Sequence, residues 1–157
     1  MNTPDISDLY YSLPVIVDFN AYGKKDLVSG KIETVSCLND NSKVREVLST
    51  DGTNSILIVD GHASKEVALM GDKVAGIAIE NKWEAVVING YIRDVDIIGT
   101  LDIGVQALGT MPVRSEKKNQ GEVGVDVSFG GLTFQSGDYV YADNNGLLLS
   151  KKELNLK

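Results

Sequence analysis

The stretch SILIVDGHASKEVALMGDKVAGIAIENKWEAVVING, residues 55–90, decides the fold. SILIVDG, residues 55–61, is a continuous apolar run closed by Asp60-Gly61, the pattern of a strand buried on both faces. Apolar residues then recur at Val67, Met70, Val74, Ile77 and Ala78 with near-helical spacing, interrupted by Gly71-Asp72. This spacing predicts a helix with Asp72 as N-cap and a body running to about Asn81. EAVVING, residues 84–90, reads as the next strand, and RDVDIIGTL after it as a short helix or turn. A strand, a helix and a strand in that order argue for parallel strands joined by a crossover helix, and so for an α/β fold.

The flanks extend the same rhythm and then break it. TPDISDLY predicts a first helix capped by Thr3 or Asp5, KDLVSGKIETVSC a strand, and NDNSKVREVLS a helix capped by Asn41 or a neighbour. The second half is a series of short β-rich pieces separated by Gly-Gly, Ser-Gly-Asp and Asp-Asn-Asn-Gly turns, which predict hairpins and a second sheet layer. SEKKNQGE, residues 115–122, reads as an exposed loop. No repeat and no Pro- or Ser-rich linker divides the chain, so one domain over residues 1–157 is expected.

Composition narrows the function classes. The chain has 157 residues, 43% of them hydrophobic, enough for a continuous core. With 22 acidic against 15 basic residues and a formal charge of -7, its field repels phosphate backbones and anionic lipid, so no direct nucleic-acid or membrane partner is expected. No apolar run approaches the roughly 20 residues of a membrane span, and MNTPDISDLYY lacks a basic, then apolar, secretory leader. A cytoplasmic location is the expectation. One cysteine, Cys37, forbids an intrachain disulfide, and one histidine, His62, rules out a His/Cys metal cluster. Any metal must then sit on oxygen ligands, which points to Mg²⁺ or Mn²⁺. Cys37 and Trp83 read as packing residues.

The candidate site gathers around Asp72, Arg93 and Asp94. Both segments fall at the carboxyl ends of neighbouring parallel strands, where open α/β sheets bind ligands. Alone, Arg93-Asp94 reads either as a surface ion pair, worth about 0–1 kcal/mol, or as part of a site. A helix starting at Asp72 leaves the N–H groups of Lys73 and Val74 free to receive a carboxylate, and Gly71 lets a ligand approach the backbone. His62 falls near the same strand ends in a loop. Asp96 either reaches a metal-bound water or simply begins the next helix.

The segments LIVDGH, GDKVAGIAIENKWEAVVINGYIRDVD, LDIGVQALGTMPV and FGGLTFQSGDYVYADNNGLLL closely resemble the RraA-like family, from about Asp5 to Leu149. That family holds regulators of ribonuclease activity A and metal-dependent 4-hydroxy-4-methyl-2-oxoglutarate aldolases. The resemblance implies a layered α/β/β sandwich of the swivelling-domain type, assembled as a homotrimer with clefts between subunits. It also implies a lyase that cleaves 4-hydroxy-4-methyl-2-oxoglutarate to pyruvate and decarboxylates oxaloacetate. The aldolases have an Asp, twenty residues, then Arg-Asp, matched here at Asp72, Arg93 and Asp94. By resemblance Asp94 holds the metal directly and Asp72 through a water. The backbone of Gly71 to Val74 receives the carboxylate of a small 2-oxo acid, and Arg93 binds its keto oxygen. Longer aldolases carry a C-terminal extension supplying a glutamate to a neighbouring subunit's site; the sequence here runs to Lys157, and Glu153 is the substitute to consider. The rival implication is a non-catalytic regulator that binds ribonuclease E or its helicase partners. Family members of that kind tend to lack one or both acids, whereas Asp72 and Asp94 are both present here.

Overall fold

The computed structural model describes all 157 residues. Its first half runs α1 (Thr3–Leu9), β1 (Val15–Ile16), β2 (Asn20–Ala21), β3 (Val28–Ser36), α2 (Ser42–Leu48), β4 (Ser55–Asp60), α3 (Asp72–Glu80) and β5 (Ala85–Ile92). The second half runs α4 (Val95–Ile98), β6 (Gly104–Thr110), β7 (Glu122–Val123), β8 (Val127–Phe129), β9 (Leu132–Phe134), β10 (Tyr139–Asp143) and β11 (Gly146–Ser150). Strands β3, β4, β5 and β6 lie side by side and parallel, Ile58 meeting Thr34 on one side and Val87 on the other. The crossover reading of residues 55–90 is therefore correct.

Side-chain alternation explains the layers. Leu57 and Val59 of β4 and Val86 and Ile88 of β5 pack with Val44, Val47 and Leu48 of α2 and Val74, Ala75 and Ala78 of α3. Their strand neighbours Ile56, Ile58, Ala85 and Val87 point the other way, into a second core with Val127, Phe134, Val140 and Leu147. Because both faces are covered, β4 and β5 carry apolar side chains at successive positions. The result is a helical layer, a central sheet and a β layer. The expected second sheet is smaller than the turns suggested: only the β8–β9 hairpin stands apart, while β10 joins the main sheet antiparallel to β3 and β11 pairs antiparallel with β10.

Two of the three predicted helix caps are corrected, those of α1 and α3, while that of α2 is found at Asn41 and its neighbour Asp40. Asn2, not Thr3 or Asp5, caps α1, its side chain accepting the Asp5 N–H at 3.0 Å. Thr3 is held instead by Asp143, whose carboxylate takes its N–H and its hydroxyl, both at 2.7 Å. Asn41 occupies the cap position of α2, but its side chain is engaged with Leu69 and Ser115, and Asp40 takes the Ser42 N–H at 2.8 Å in its place. Gly71, not Asp72, is the N-cap of α3, so Asp72 is its first helical residue.

Trp83 and Cys37 are packing residues. The Trp83 ring is buried and its Nε1 donates to the Thr50 carbonyl at 2.9 Å. Gly52 lies under that ring, since a Cβ there would come within 2.1 Å of it. Burial, helped by the nearby charges of Asp40 and Asp60, pushes the Cys37 thiol up to about 12, so it carries no reactive thiolate at neutral pH. No helix is long and apolar enough to cross a membrane.

Candidate active site

The carboxyl ends of β4 and β5 are extended by two irregular segments that build a cleft. Past Asp60, residues 68–70 run beside the end of β5, the Leu69 N–H donating to the Tyr91 carbonyl at 2.8 Å and the Arg93 N–H to Met70 at 3.0 Å. Past β6, residues 111–120 arch over the end of β5. Met111 N–H donates to the Ile92 carbonyl at 3.0 Å, and the Val113 carbonyl takes the Ala68 N–H at 2.7 Å. The arch then lands on the start of α2. There the Ser115 hydroxyl donates to Asn41 Oδ1 at 2.6 Å, and Lys118 and Gln120 donate their N–H groups to Asp40 Oδ2 at 2.8 and 3.1 Å.

Asp94 stands at the mouth of this cleft. It turns the chain from β5 into α4 with φ 60° and ψ 35°, a left-handed conformation that Asp and Asn tolerate better than other side chains. Its Oδ2 accepts the Asp72 N–H at 3.1 Å, so the first free amide of α3 holds the carboxylate in place. A side chain at Gly71 would put its Cβ 2.5 Å from that oxygen, which is why glycine precedes the helix. Arg93 lies alongside, its Nε 4.0 Å from the same oxygen and its Nη1 donating to the Pro112 carbonyl at 3.3 Å. Both side chains remain open to solvent, 40% for Arg93 and 35% for Asp94. No carbonyl or side chain of the protein takes the N–H of Lys73 or Val74.

The cleft has a volume of about 240 Å³, and Gly71, Asp72, Lys73, Val74, Arg93 and Asp94 all line it. The structure thus brings together every residue singled out for substrate or metal. Their donor set suits a hard cation: two carboxylates on the cleft wall fit Mg²⁺ or Mn²⁺, which retain several waters and bind through one or two carboxylates plus ligand oxygens. No third His, Cys, Asp or Glu joins them in a group that could hold a metal. Three other candidates lie elsewhere. His62 is bonded to Ser36 at 3.0 Å with its ring 3.6 Å from Asp60, and it does not line the cleft. Glu153 lines a different cavity with Ser29, Tyr139 and Tyr141, at the amino end of β3. Asp96 sits in the exposed first turn of α4 and does not line the cleft.

Sequence reasoning missed the far wall, made by Arg45, Arg114 and Lys117 over the Asn41–Ser115 pair. Arg45 reads as an ordinary solvated helix position. Lys117 falls in the polar SEKKNQGE loop, which is exposed as expected but curls back across the strand ends.

The comparisons with known proteins agree with this architecture. The RraA-like family model, described as aldolase/RraA, matches residues 3–149. A protein of Acinetobacter baylyi, provisionally named 4-hydroxy-4-methyl-2-oxoglutarate aldolase, is 52% identical over 136 residues, covering 87% of this chain and 80% of that one. A protein of Azotobacter vinelandii with the same provisional name is 45% identical over 156 residues, covering 98% and 96%. Among solved structures, one titled as an S-adenosylmethionine: 2-dimethylmenaquinone methyltransferase, from Geobacillus kaustophilus, superposes with a TM-score of 0.96 at 43% identity over 100% of this chain and 99% of that one. Another, titled "Structure of the RNA-processing inhibitor RraA from Thermus thermophilis", gives 0.95 at 34% identity, covering 99% and 96%. With this sheet order, this cleft and a family match across nearly its whole length, the chain belongs to the RraA-like family.

Proposed function

We propose that the protein is a divalent-metal-dependent carbon–carbon lyase that cleaves 4-hydroxy-4-methyl-2-oxoglutarate to pyruvate and decarboxylates oxaloacetate. The observation that carries this reading is the Asp94 carboxylate, fixed by the Asp72 N–H in a left-handed turn beside Arg93 and open to the cleft. Catalysis is the role of Arg93 and Asp72 in this reading, and Asp94 is the direct ligand of Mg²⁺ or Mn²⁺, with Asp72 acting through a water. A divalent ion there supplies Lewis-acid polarisation of the keto oxygen.

The chain's own groups do the rest. The N–H groups of Lys73 and Val74, at the positive end of α3, receive the carboxylate adjoining the keto carbon. Arg93, pinned by Pro112, presents its guanidinium to the keto oxygen as the C3–C4 bond breaks and its electron pair moves onto C3. In the aldol cleavage the C4 hydroxyl loses its proton and C4 becomes the carbonyl of a second pyruvate. In the decarboxylation C4 leaves as carbon dioxide. Both routes leave the pyruvate enolate, so one site serves both. The relatives' aldolase names support the lyase class. The polar cleft, with three apolar residues among thirteen, favours a small anion over a nucleoside-bearing cofactor.

The test is pyruvate release from each substrate with Mg²⁺ or Mn²⁺, with and without chelator. Release above that of the free metal, lost with chelator, is expected; release no faster than the free metal overturns the reading. In that event the resemblance to the Thermus RNA-processing inhibitor leaves a regulator of ribonuclease E as the function to pursue. We propose further that the active form is a homotrimer, checked by light scattering at micromolar concentration; a monomer there refutes it.

A further inference from the structure

Five of the chain's 15 Lys and Arg residues line this single cleft: Arg45, Lys73, Arg93, Arg114 and Lys117. The chain as a whole is acidic, with a formal charge of -7. Of these five, only Arg93 has a carboxylate within 4.0 Å. Cations gathered without partners repel one another, and an anion entering among them relieves that repulsion. The five fall into two groups. Lys73 and Arg93 flank Asp94. Arg45 stands one helical turn beyond Asn41, and Arg114 and Lys117 stand on either side of Ser115, so these three are clamped together by the Asn41–Ser115 hydrogen bonds. Ala68 pairs with both Tyr91 and Arg114, which sets the backbone of Arg114 two strand spacings, about 10 Å, from the end of β5.

We propose that Arg45, Arg114 and Lys117 form a second carboxylate seat, which reads the remote carboxylate of a dicarboxylic 2-oxo acid while the α3 terminus and Arg93 hold its pyruvyl end. The assignment of the pyruvyl end rests on the lyase reading. Two seats at opposite ends of the ligand select dicarboxylates over pyruvate itself. They also favour product release, because bond cleavage divides the two carboxylates between separate molecules and each product keeps one seat only. A further asymmetry follows. In aldol cleavage the remote carboxylate stays charged throughout, so the seat contributes uniform binding. In decarboxylation that carboxylate becomes neutral carbon dioxide, so the seat stabilises bound oxaloacetate more than the transition state.

The experiment is calorimetric titration of the Mg²⁺-loaded protein with 2-oxoglutarate, a dicarboxylate that lacks the cleavable hydroxyl, and with pyruvate. Wild type is expected to prefer 2-oxoglutarate by about tenfold or more, as charge-assisted pairs imply. Arg114→Ala with Lys117→Ala is expected to remove the preference while leaving pyruvate binding within about twofold, and Arg114→Lys to retain part of it. In oxaloacetate turnover the double variant raises KM without lowering kcat. Should the double variant fail to fold, Lys117→Ala and Arg45→Ala, both at exposed positions, carry the same comparison. The proposal is overturned if wild type shows no preference, if the preference survives in the variants, or if both ligands weaken in proportion. A preference that responds as expected in a protein without lyase activity leaves the seat standing and removes the lyase reading. Lyase activity with an unaltered preference does the reverse.

Discussion

Two aspartates mark the two ends of the arch formed by residues 111–120, and the chain uses them oppositely. At the α2 end Asp40 is buried and accepts four hydrogen bonds, from the Ser42 N–H and hydroxyl and the N–H groups of Lys118 and Gln120. At the α3 end Asp94 accepts one, from Asp72, and otherwise faces solvent. A carboxylate offers about four lone-pair sites, so Asp40 is saturated and Asp94 has capacity in reserve. The first is a clamp. The second is free to take a ligand.

The largest expected effect breaks that contrast at Asp94. Asp94→Asn keeps the shape, the acceptor for the Asp72 N–H and the tolerance for a left-handed turn, but loses the charge that attracts a cation. Metal-dependent oxaloacetate decarboxylation should drop to the rate of the free metal while the thermal midpoint barely moves. Asp40→Ala should do the converse. Leaving its donors unpaired is expected to cost about 3 kcal/mol of stability in urea unfolding, through loss of the arch.

Acid sharpens the same comparison. Burial raises the Asp40 carboxyl, but the Ser42, Gln120 and Lys118 donors outweigh it and hold the group below the usual carboxylate range. A depressed folded-state value contributes stability that is present above the unfolded value, about 3.9, and is lost as pH falls through the folded one. Stability should therefore decline below about pH 4, and less steeply in Asp40→Asn. Asp143, lowered by Thr3 and Asn145 against the opposing effect of burial, adds a parallel decline in both proteins.

Smaller effects grade the site itself. Arg93→Lys keeps a charge but loses the planar fork, and kcat should fall about 10²-fold, equivalent to about 2.7 kcal/mol. Asp72→Asn, with its N–H still on Asp94, should weaken metal binding by only about tenfold if its contact runs through water. A loss from Asp72→Asn exceeding that from Asp94→Asn would reverse the proposed roles.

The fold was legible where pattern and burial coincide. Residues 55–90 announce their elements because a strand covered on both faces must be apolar throughout, and the helix packed on it must carry Val74, Ala75 and Ala78 at one-turn spacing. The near wall of the cleft was legible for the same reason, since it sits at the junctions of those elements. Capping was not. Asp72 is a good cap in isolation, but Asp94, 22 residues away, already takes its amide, and only the folded chain shows this. Asn41 is likewise drawn from local capping to Ser115, 74 residues on. The far wall was hidden by the same kind of contact: nothing near Arg45 or Lys117 in sequence indicates that the arch folds back over β5.

That arch also orders events in time. Its landing joins residues 74 to 80 apart in sequence, and it can close only after β6 has paired with β5 and α2 has packed on the sheet. Such contacts form late and carry the loop-closure entropy of everything between them. Few apolar side chains back the arch, most of its residues being exposed, so it forms a cooperative unit that opens before the sheet does. In hydrogen exchange the amides of Lys118 and Gln120 should lose protection together, ahead of those in β4 and β5. The far wall of the cleft is thus expected to close after the central strands on which it rests and to open before them.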